Sequence, residues 1–138
     1  MKFTVRIQYG LQALLELALN HGSGPIQIKD IADNQNVPIK FLEQILVVLK
    51  RGGLVASTRG RTGGYNLARR PSEISVKDLI EALEGPIELT NKKMKKSPVL
   101  FEAFDRIQGG IKSDLAKLTL AELALKERAQ ERVYNYSI

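Results

Sequence analysis

Residues 30–67 read DIADNQNVPIKFLEQILVVLKRGGLVASTRGRTGGYNL. Apolar residues recur at helical spacing both before and after a short break that Pro38 closes. Glycines at 52–53 end the second helical pattern. The runs 54–58 and 65–67 are apolar or β-branched, as is typical of strands. This order of helix, turn, helix, strand, loop and strand predicts a mainly α fold, a winged helix–turn–helix with a two-stranded wing.

The second helix of this motif carries polar residues near its N-terminus. Lys40, Glu43 and Gln44 lie away from the apolar stripe of that helix. In a helix–turn–helix this end enters the DNA major groove, where Lys, Glu and Gln can bond base edges. The alternative interpretation is an ordinary solvated helix face.

The loop between the two predicted strands reads RGRTGG over residues 59–64. Its glycines let the backbone turn sharply and approach a phosphate closely. Arg59 and Arg61 are then held at the tip, where they can enter a minor groove or contact phosphates. A nucleotide-binding loop is disfavoured, because no Gly-Lys-Ser/Thr ending is present and a strand follows. Arg6, near the start of the first helix, is a further candidate phosphate contact.

The charge of the chain favours a polyanionic partner, nucleic acid before membrane. The 138 residues carry a net charge of +6, with a pI near 9.7. Between residues 40 and 70 the only acid is Glu43, whereas the cations are Lys40, Lys50, Arg51, Arg59, Arg61, Arg69 and Arg70. A local excess of this kind is the expected footprint of a DNA-binding surface.

The composition also excludes several function classes. With no cysteine, the chain cannot form disulfides, thiolate metal sites or a cysteine nucleophile. No constellation of carboxylates or lysines indicates an enzyme, so we expect neither catalysis nor a cofactor. No run is long and apolar enough to span a bilayer. The apolar stretch 11–19 is interrupted by Gln12 and Glu16, which predicts a core helix and a cytoplasmic protein rather than a signal peptide.

The remaining pattern divides the chain into three parts. Residues 1–86 are predicted to form the DNA-binding domain, closed by a helix that a Ser75 cap begins and that packs on the first helix. Residues 87–97 are predicted to be a basic linker loop, either merely solvated or an extra phosphate or effector contact. Residues 98–138 are predicted to be a helical dimerisation segment, with a short last helix from Thr119 through Leu123.

The long C-terminal helix predicted after Ser97 carries an apolar stripe close to a coiled-coil seam. The stripe consists of Phe101, Phe104, Ile107, Ile111, Leu115 and Leu118. Because it follows a domain that is already complete, it needs a partner, and a symmetric homodimer is the simplest one. Such a dimer places two recognition helices about one DNA turn apart, as a palindromic site requires. A close helix crossing or a kink is a possible reason for Gly109-Gly110 within this helix.

Several motifs together resemble the Rrf2 family of bacterial transcription regulators, across nearly the whole chain. They are Tyr9-Gly10-Leu11, Asp30-Ile31-Ala32, FLEQIL at 41–46, Arg59-Gly60 and Gly63-Gly64-Tyr65. The resemblance implies a dimeric winged helix–turn–helix whose DNA contacts come from Lys40, Phe41, Glu43, Gln44, Arg59 and Gly60. Arg61 joins this set on charge alone.

The chain departs from the family pattern at two places. Cluster-binding members carry three cysteines before the long helix, where this sequence has Lys92, Lys93, Lys95 and Lys96, so no iron–sulfur cluster is implied. Family members also often have Arg in place of Gln8 and Ser in place of Pro38. We therefore expect a repressor that binds double-stranded DNA as a homodimer and answers to an effector protein, to a small molecule or to none. The alternative is a protein-interaction module with no operator of its own.

Overall fold

The computed structural model describes the backbone of residues 3–137 and the side chains of residues 3–135. The described residues form a mainly α winged helix–turn–helix, which confirms the predicted fold class. Their helices are α1 (Val5–Leu19), α2 (Ile28–Gln35), α3 (Ile39–Arg51), α4 (Val76–Glu84), α5 (Pro98–Lys117) and α6 (Leu120–Ser137), and their strands are β1 (Val55–Thr58) and β2 (Gly64–Leu67). The strands pair antiparallel, with Val55 opposite Leu67 and Thr58 opposite Gly64.

Local capping groups set most of these boundaries. Ser75 and Asp78 form a reciprocal capping box at the start of α4. Gly53 follows α3 with a φ of +76°, a conformation that favours glycine. Pro38, which closes the break in the sequence pattern, has an extended ψ of 128° and stands just before α3.

The core surrounds α1. Leu14 and Leu17 on α1 are buried together with Leu42 and Leu46 on α3. As predicted, α4 packs against α1, and it does so at Gly10. A Cβ on this glycine would lie 2.9 Å from the Leu83 Cδ1 atom, so the absence of a side chain permits the close approach.

The C-terminal part differs from its prediction in two ways. The last helix does not end near Leu123 but continues as α6 to Ser137, because the residues beyond Leu123 are mostly good helix formers although they lack an apolar stripe. Leu120 and Ala124 of α6 are buried in the same core as α1. The predicted linker loop contains a short 3₁₀ helix, Lys92–Lys96, whose first turn the Asn91 side chain caps. The end of the tail, Ile138, lies outside the described residues.

A membrane-crossing helix would need a long apolar stretch, and none of the helices within residues 3–137 has one.

Candidate nucleic-acid interface

The outward face of α3 is polar at its N-terminal end. Lys40, Glu43, Gln44 and Val47 follow one another at intervals of three, one and three residues, so they share one face of the helix. All four are exposed, whereas the opposite face of α3 is buried in the core through Leu42, Ile45, Leu46 and Leu49. The polar side chains of this face make no hydrogen bond or ion pair with another described residue, so they are available to a ligand.

Phe41 adds an apolar contact to the same end of the helix. Its side chain is 58% exposed, and its ring centroid lies 6.2 Å from that of Tyr9 in a tilted arrangement. Tyr9 therefore orients the ring from α1 and leaves much of its surface free. An exposed aromatic ring here suits contact with a thymine methyl group.

Val47 is a candidate that the sequence pattern did not single out. It is 52% exposed and lies one turn beyond Gln44 on the outward face of α3. A branched apolar side chain at this place can contact a thymine methyl group, as Phe41 can. Helical spacing from Lys40 and Gln44 is the signal that identifies it.

The wing tip presents Arg59, Gly60 and Arg61 to solvent. Neither guanidinium is bonded to another described residue. The hairpin closes through two glycines that admit no side chain. A Cβ on Gly63 would lie 2.1 Å from the Thr58 carbonyl oxygen, and a Cβ on Gly64 would lie 2.4 Å from that of Ile26. Both distances are far inside van der Waals contact.

Contacts outside the hairpin hold the wing in place, and no pattern in the sequence indicates them. Ile26 and Tyr65 exchange two backbone hydrogen bonds of 3.0 and 2.8 Å. Gln27 Nε2 donates to the Arg61 carbonyl oxygen over 3.1 Å. Lys50 Nζ lies 2.6 Å from Ser57 Oγ, to which it donates. The last turn of α3 is thereby tied to β1, so the recognition helix and the wing form one rigid surface.

A buried acid fixes the helix–turn–helix to α1. Glu16 is only 7% exposed, and its carboxylate accepts hydrogen bonds of 2.8 Å from both Asn34 Nδ2 and Gln35 Nε2. Gln12 Nε2 donates to the Gln35 carbonyl oxygen over 3.0 Å. These bonds hold the end of α2, where the chain turns toward α3. The sequence pattern shows Gln12 and Glu16 only as interruptions of an apolar run and does not reveal these contacts.

The Arg6 side chain contacts the C-terminal end of α4. Its Nη1 atom donates to the Leu83 carbonyl oxygen over 2.8 Å and lies 3.9 Å from the Glu84 carboxylate. The guanidinium thus neutralises the C-terminal end of α4. Its side chain remains 45% exposed, so a phosphate contact through its other N–H groups stays a prediction.

The predicted dimerisation stripe divides into two parts. Phe104 and Ile107 are 40% and 51% exposed, respectively, and Phe101 beside them is half-buried. Ile111, Leu115 and Leu118 instead pack in part against the protein's own core. All residues of α5 are described and none of them is buried, so the helix keeps an apolar surface at its N-terminal half.

The sequence pattern of one protein family covers most of the chain. This family, described as "Rrf2: Iron-dependent Transcriptional regulator", matches residues 3–126. The chain belongs to the Rrf2 family. Like other Rrf2 proteins it is a DNA-binding transcription regulator of the winged helix–turn–helix class and not an enzyme, as the sequence predicted.

Individual Rrf2 proteins are similar over the whole chain. The HTH-type transcriptional regulator CymR of Bacillus subtilis (strain 168) is 37% identical over 138 residues, covering 100% of both chains. The solved structure of CymR, described as the global cysteine regulator of B. subtilis, has a TM-score of 0.83 at 38% identity and covers 91% of this chain and 98% of that one. The structure of T. potens IscR has a TM-score of 0.74 at 36% identity and covers 96% of this chain and 90% of that one.

The iron named in the family description does not fit the donor groups of this chain. The sequence has no cysteine and a single histidine, His21. Within the described residues, no three His, Asp or Glu side chains come together as metal ligands. The segment before α5, Lys92–Lys96, presents ammonium groups, which repel a cation.

Proposed function

We propose that this transcription regulator is a repressor that binds a palindromic operator as a homodimer. The observation that supports it is the free polar face of α3, tied through Lys50 and Ser57 to a wing with two free guanidinium groups. In this proposal Lys40, Glu43 and Gln44 bond base edges in the major groove. Arg59 and Arg61 contact phosphates or the minor groove, and they supply much of the affinity and its salt dependence.

The second copy of the chain packs along α5. Phe104 and Ile107 are exposed on a helix without buried residues among the twenty described. Association of two such helices removes apolar surface from water, at about 25 cal/mol per Å². A twofold axis at this seam presents the same surface twice to DNA, as a palindrome requires.

Selection of bound sequences from random DNA, with sizing of the selected complex, tests this function. We expect a palindromic motif whose half-sites are separated by about one helical turn, bound by two copies of the chain. Recovery of no motif would instead support the alternative, a protein-interaction module built on the winged fold.

Arg59→Ala tests the wing. We expect this substitution to lower operator affinity about tenfold or more and to reduce the salt slope by about one, because a phosphate contact is lost. Mobility-shift titrations at several fixed salt concentrations measure both. The control is Arg132→Ala, which removes the same charge at an exposed position of α6. It should change neither the operator affinity nor the salt slope. Equal operator affinity for Arg59→Ala and the parent protein would exclude this role of the wing.

We further propose that the protein works without a resident metal or cofactor, since it has no thiolate to hold a cluster. Its signal then comes from a partner protein or a small molecule. The operator DNA of bacteria lies in the cytoplasm, so the proposed function places the protein there.

A further inference from the structure

A cleft of about 460 Å³ lies between the end of α1, the segment after β2 and the first turns of α6. Its floor is apolar. Ala18 and Ala124 are each 2% exposed, and Leu125 stands beside them with 67% of its surface exposed. A cleft of this size and lining suits a small molecule with an apolar body.

The rim of this cleft carries two arginines. Arg70 and Arg128 line it beside His21, and no Asp or Glu is among the described residues that do so. The side chains of Arg70 and His21 make no hydrogen bond or ion pair with any described residue. Arg128 uses Nη2 to donate to the Leu19 carbonyl oxygen over 3.1 Å, which orients its guanidinium and leaves its other N–H groups free.

These two features define the chemistry of an occupant. A guanidinium presents N–H donors in a planar fork that matches a carboxylate. The apolar floor needs a hydrocarbon body, which inorganic phosphate lacks. We propose that the cleft binds a small aliphatic carboxylate. Its carboxylate group pairs with Arg70 and Arg128, and its alkyl group covers Ala124 and Leu125.

The position of the cleft would let such a ligand connect two parts of the molecule. Near the cleft, the backbone N–H of Leu120 donates to the Ile74 carbonyl oxygen over 2.9 Å, which joins the start of α6 to the chain just before α4. A ligand held by Arg70 and Arg128 adds a second link between the segment after the wing and the helix that follows the dimer seam. The binding itself does not depend on an operator, and only the use of the ligand as a signal rests on the proposed function.

Titration of the full chain with 4-methylpentanoate, followed by amide chemical shifts in NMR spectra without DNA, tests the binding. We expect saturable shifts at residues that line the cleft, with a dissociation constant on the order of 1 mM or lower for a ligand of this size. The neutral isostere 4-methylpentanamide and inorganic phosphate should each bind at least about tenfold more weakly, because one lacks the charge and the other the alkyl group.

Arg70→Gln removes one exposed guanidinium without a partner among the described residues, so it should leave the fold intact. We expect it to weaken 4-methylpentanoate binding about fivefold or more. Arg132→Gln, on the same helix as Arg128 and outside the cleft, should leave binding unchanged. The proposal is overturned if 4-methylpentanoate causes no saturable shifts at the cleft, if the amide binds equally well, or if Arg70→Gln binds like the parent. A second copy of the chain that covers the cleft would give the first of these results.

Discussion

The conformation of the wing requires that residue 63, a glycine, has no Cβ atom. A Cβ there would lie 2.1 Å from the Thr58 carbonyl oxygen, whereas nothing lies within 4 Å of a Cβ on Gly60 at the loop tip. The two glycines therefore act differently. Gly60 adopts a φ of +107°, whereas Gly63 has no side chain that would overlap the Thr58 carbonyl group.

We predict that Gly63→Ala distorts the wing and lowers operator affinity, while the helical core remains folded. The steric overlap costs on the order of 1–3 kcal/mol, as overpacking does. The core around α1 does not include the wing tip. Chemical denaturation and mobility shift at fixed salt measure the two effects separately. Gly60→Ala is the comparison, since its Cβ meets no other atom within 4 Å and its effect comes only from the positive φ. A Gly63→Ala protein that binds operator like the parent would show that the wing geometry is unimportant.

Val47 gives a second prediction at the scale of one residue. Val47→Ala should weaken the preference for thymine at one position of each half-site, because two methyl groups that can contact the thymine methyl are removed. The change is about 1–2 kcal/mol, because each carbon removed from the contact is worth about 0.8 kcal/mol. Affinity for random DNA should stay the same. Selection from random DNA with Val47→Ala and with Val99→Ala, a control at an exposed site of α5, compares the two motifs. An unaltered motif for Val47→Ala would remove this residue from base recognition.

Elements with local end signals could be predicted from the sequence. The Ser75–Asp78 capping box, the glycines after α3 and the glycine-rich hairpin each act within a few residues, so the chain order reveals them. The full length of α6 could not be predicted, because its last turns carry no apolar stripe. The backbone pairing of Ile26 with Tyr65 was equally hidden, since one isolated bridge leaves no periodic pattern.

The pair Gly109-Gly110 leads to a prediction at the scale of the helix. Gly109 is two residues, or about 200° of helix rotation, from both Ile107 and Ile111, so it lies opposite the apolar stripe. Nothing among the described residues lies within 4 Å of a Cβ at this position. We predict that Gly109→Ala raises the free energy of unfolding by up to about 1 kcal/mol and leaves association of the two copies unchanged.

Denaturant unfolding and analytical ultracentrifugation measure these two quantities. Gly10→Ala is the opposite case, because its Cβ would lie 2.9 Å from Leu83 Cδ1 in the core, and it should destabilise the protein. Weaker association of the Gly109→Ala protein would mean that a second helix packs closely on this face, which is the helix crossing that the sequence suggested.

At the scale of the whole molecule, contacts between distant parts of the chain decide which side chains remain available to bind DNA or a second copy. Arg6 remains a predicted phosphate contact, but its Nη1 atom already donates to the carbonyl oxygen of Leu83, 77 positions away. Half of the expected dimer stripe, from Ile111 to Leu118, packs in part on the protein's own core. Periodicity identifies an apolar face of a helix but not the surface that covers it. It also does not reveal which backbone group a charged side chain contacts. Neither contact could therefore be predicted from the sequence.

The exposed half of the stripe provides the test of the dimer. Ile107→Lys places a charge where two copies are proposed to meet, and we predict that it converts the dimer to a monomer. Operator affinity should fall about a hundredfold, because each half-site is then bound independently. The monomer itself should stay folded, since Ile107 is 51% exposed in one copy.

Analytical ultracentrifugation and mobility shift on the selected palindrome measure association and binding. Val99→Lys adds the same charge on the same helix at a residue that is 81% exposed and that points away from the stripe, so it should remain dimeric and bind like the parent. If Ile107→Lys remains dimeric, the two copies meet elsewhere. If it becomes monomeric yet binds the palindrome as tightly as before, the link between α5 and operator recognition is wrong, because paired half-sites gain affinity only when the two recognition helices are physically joined.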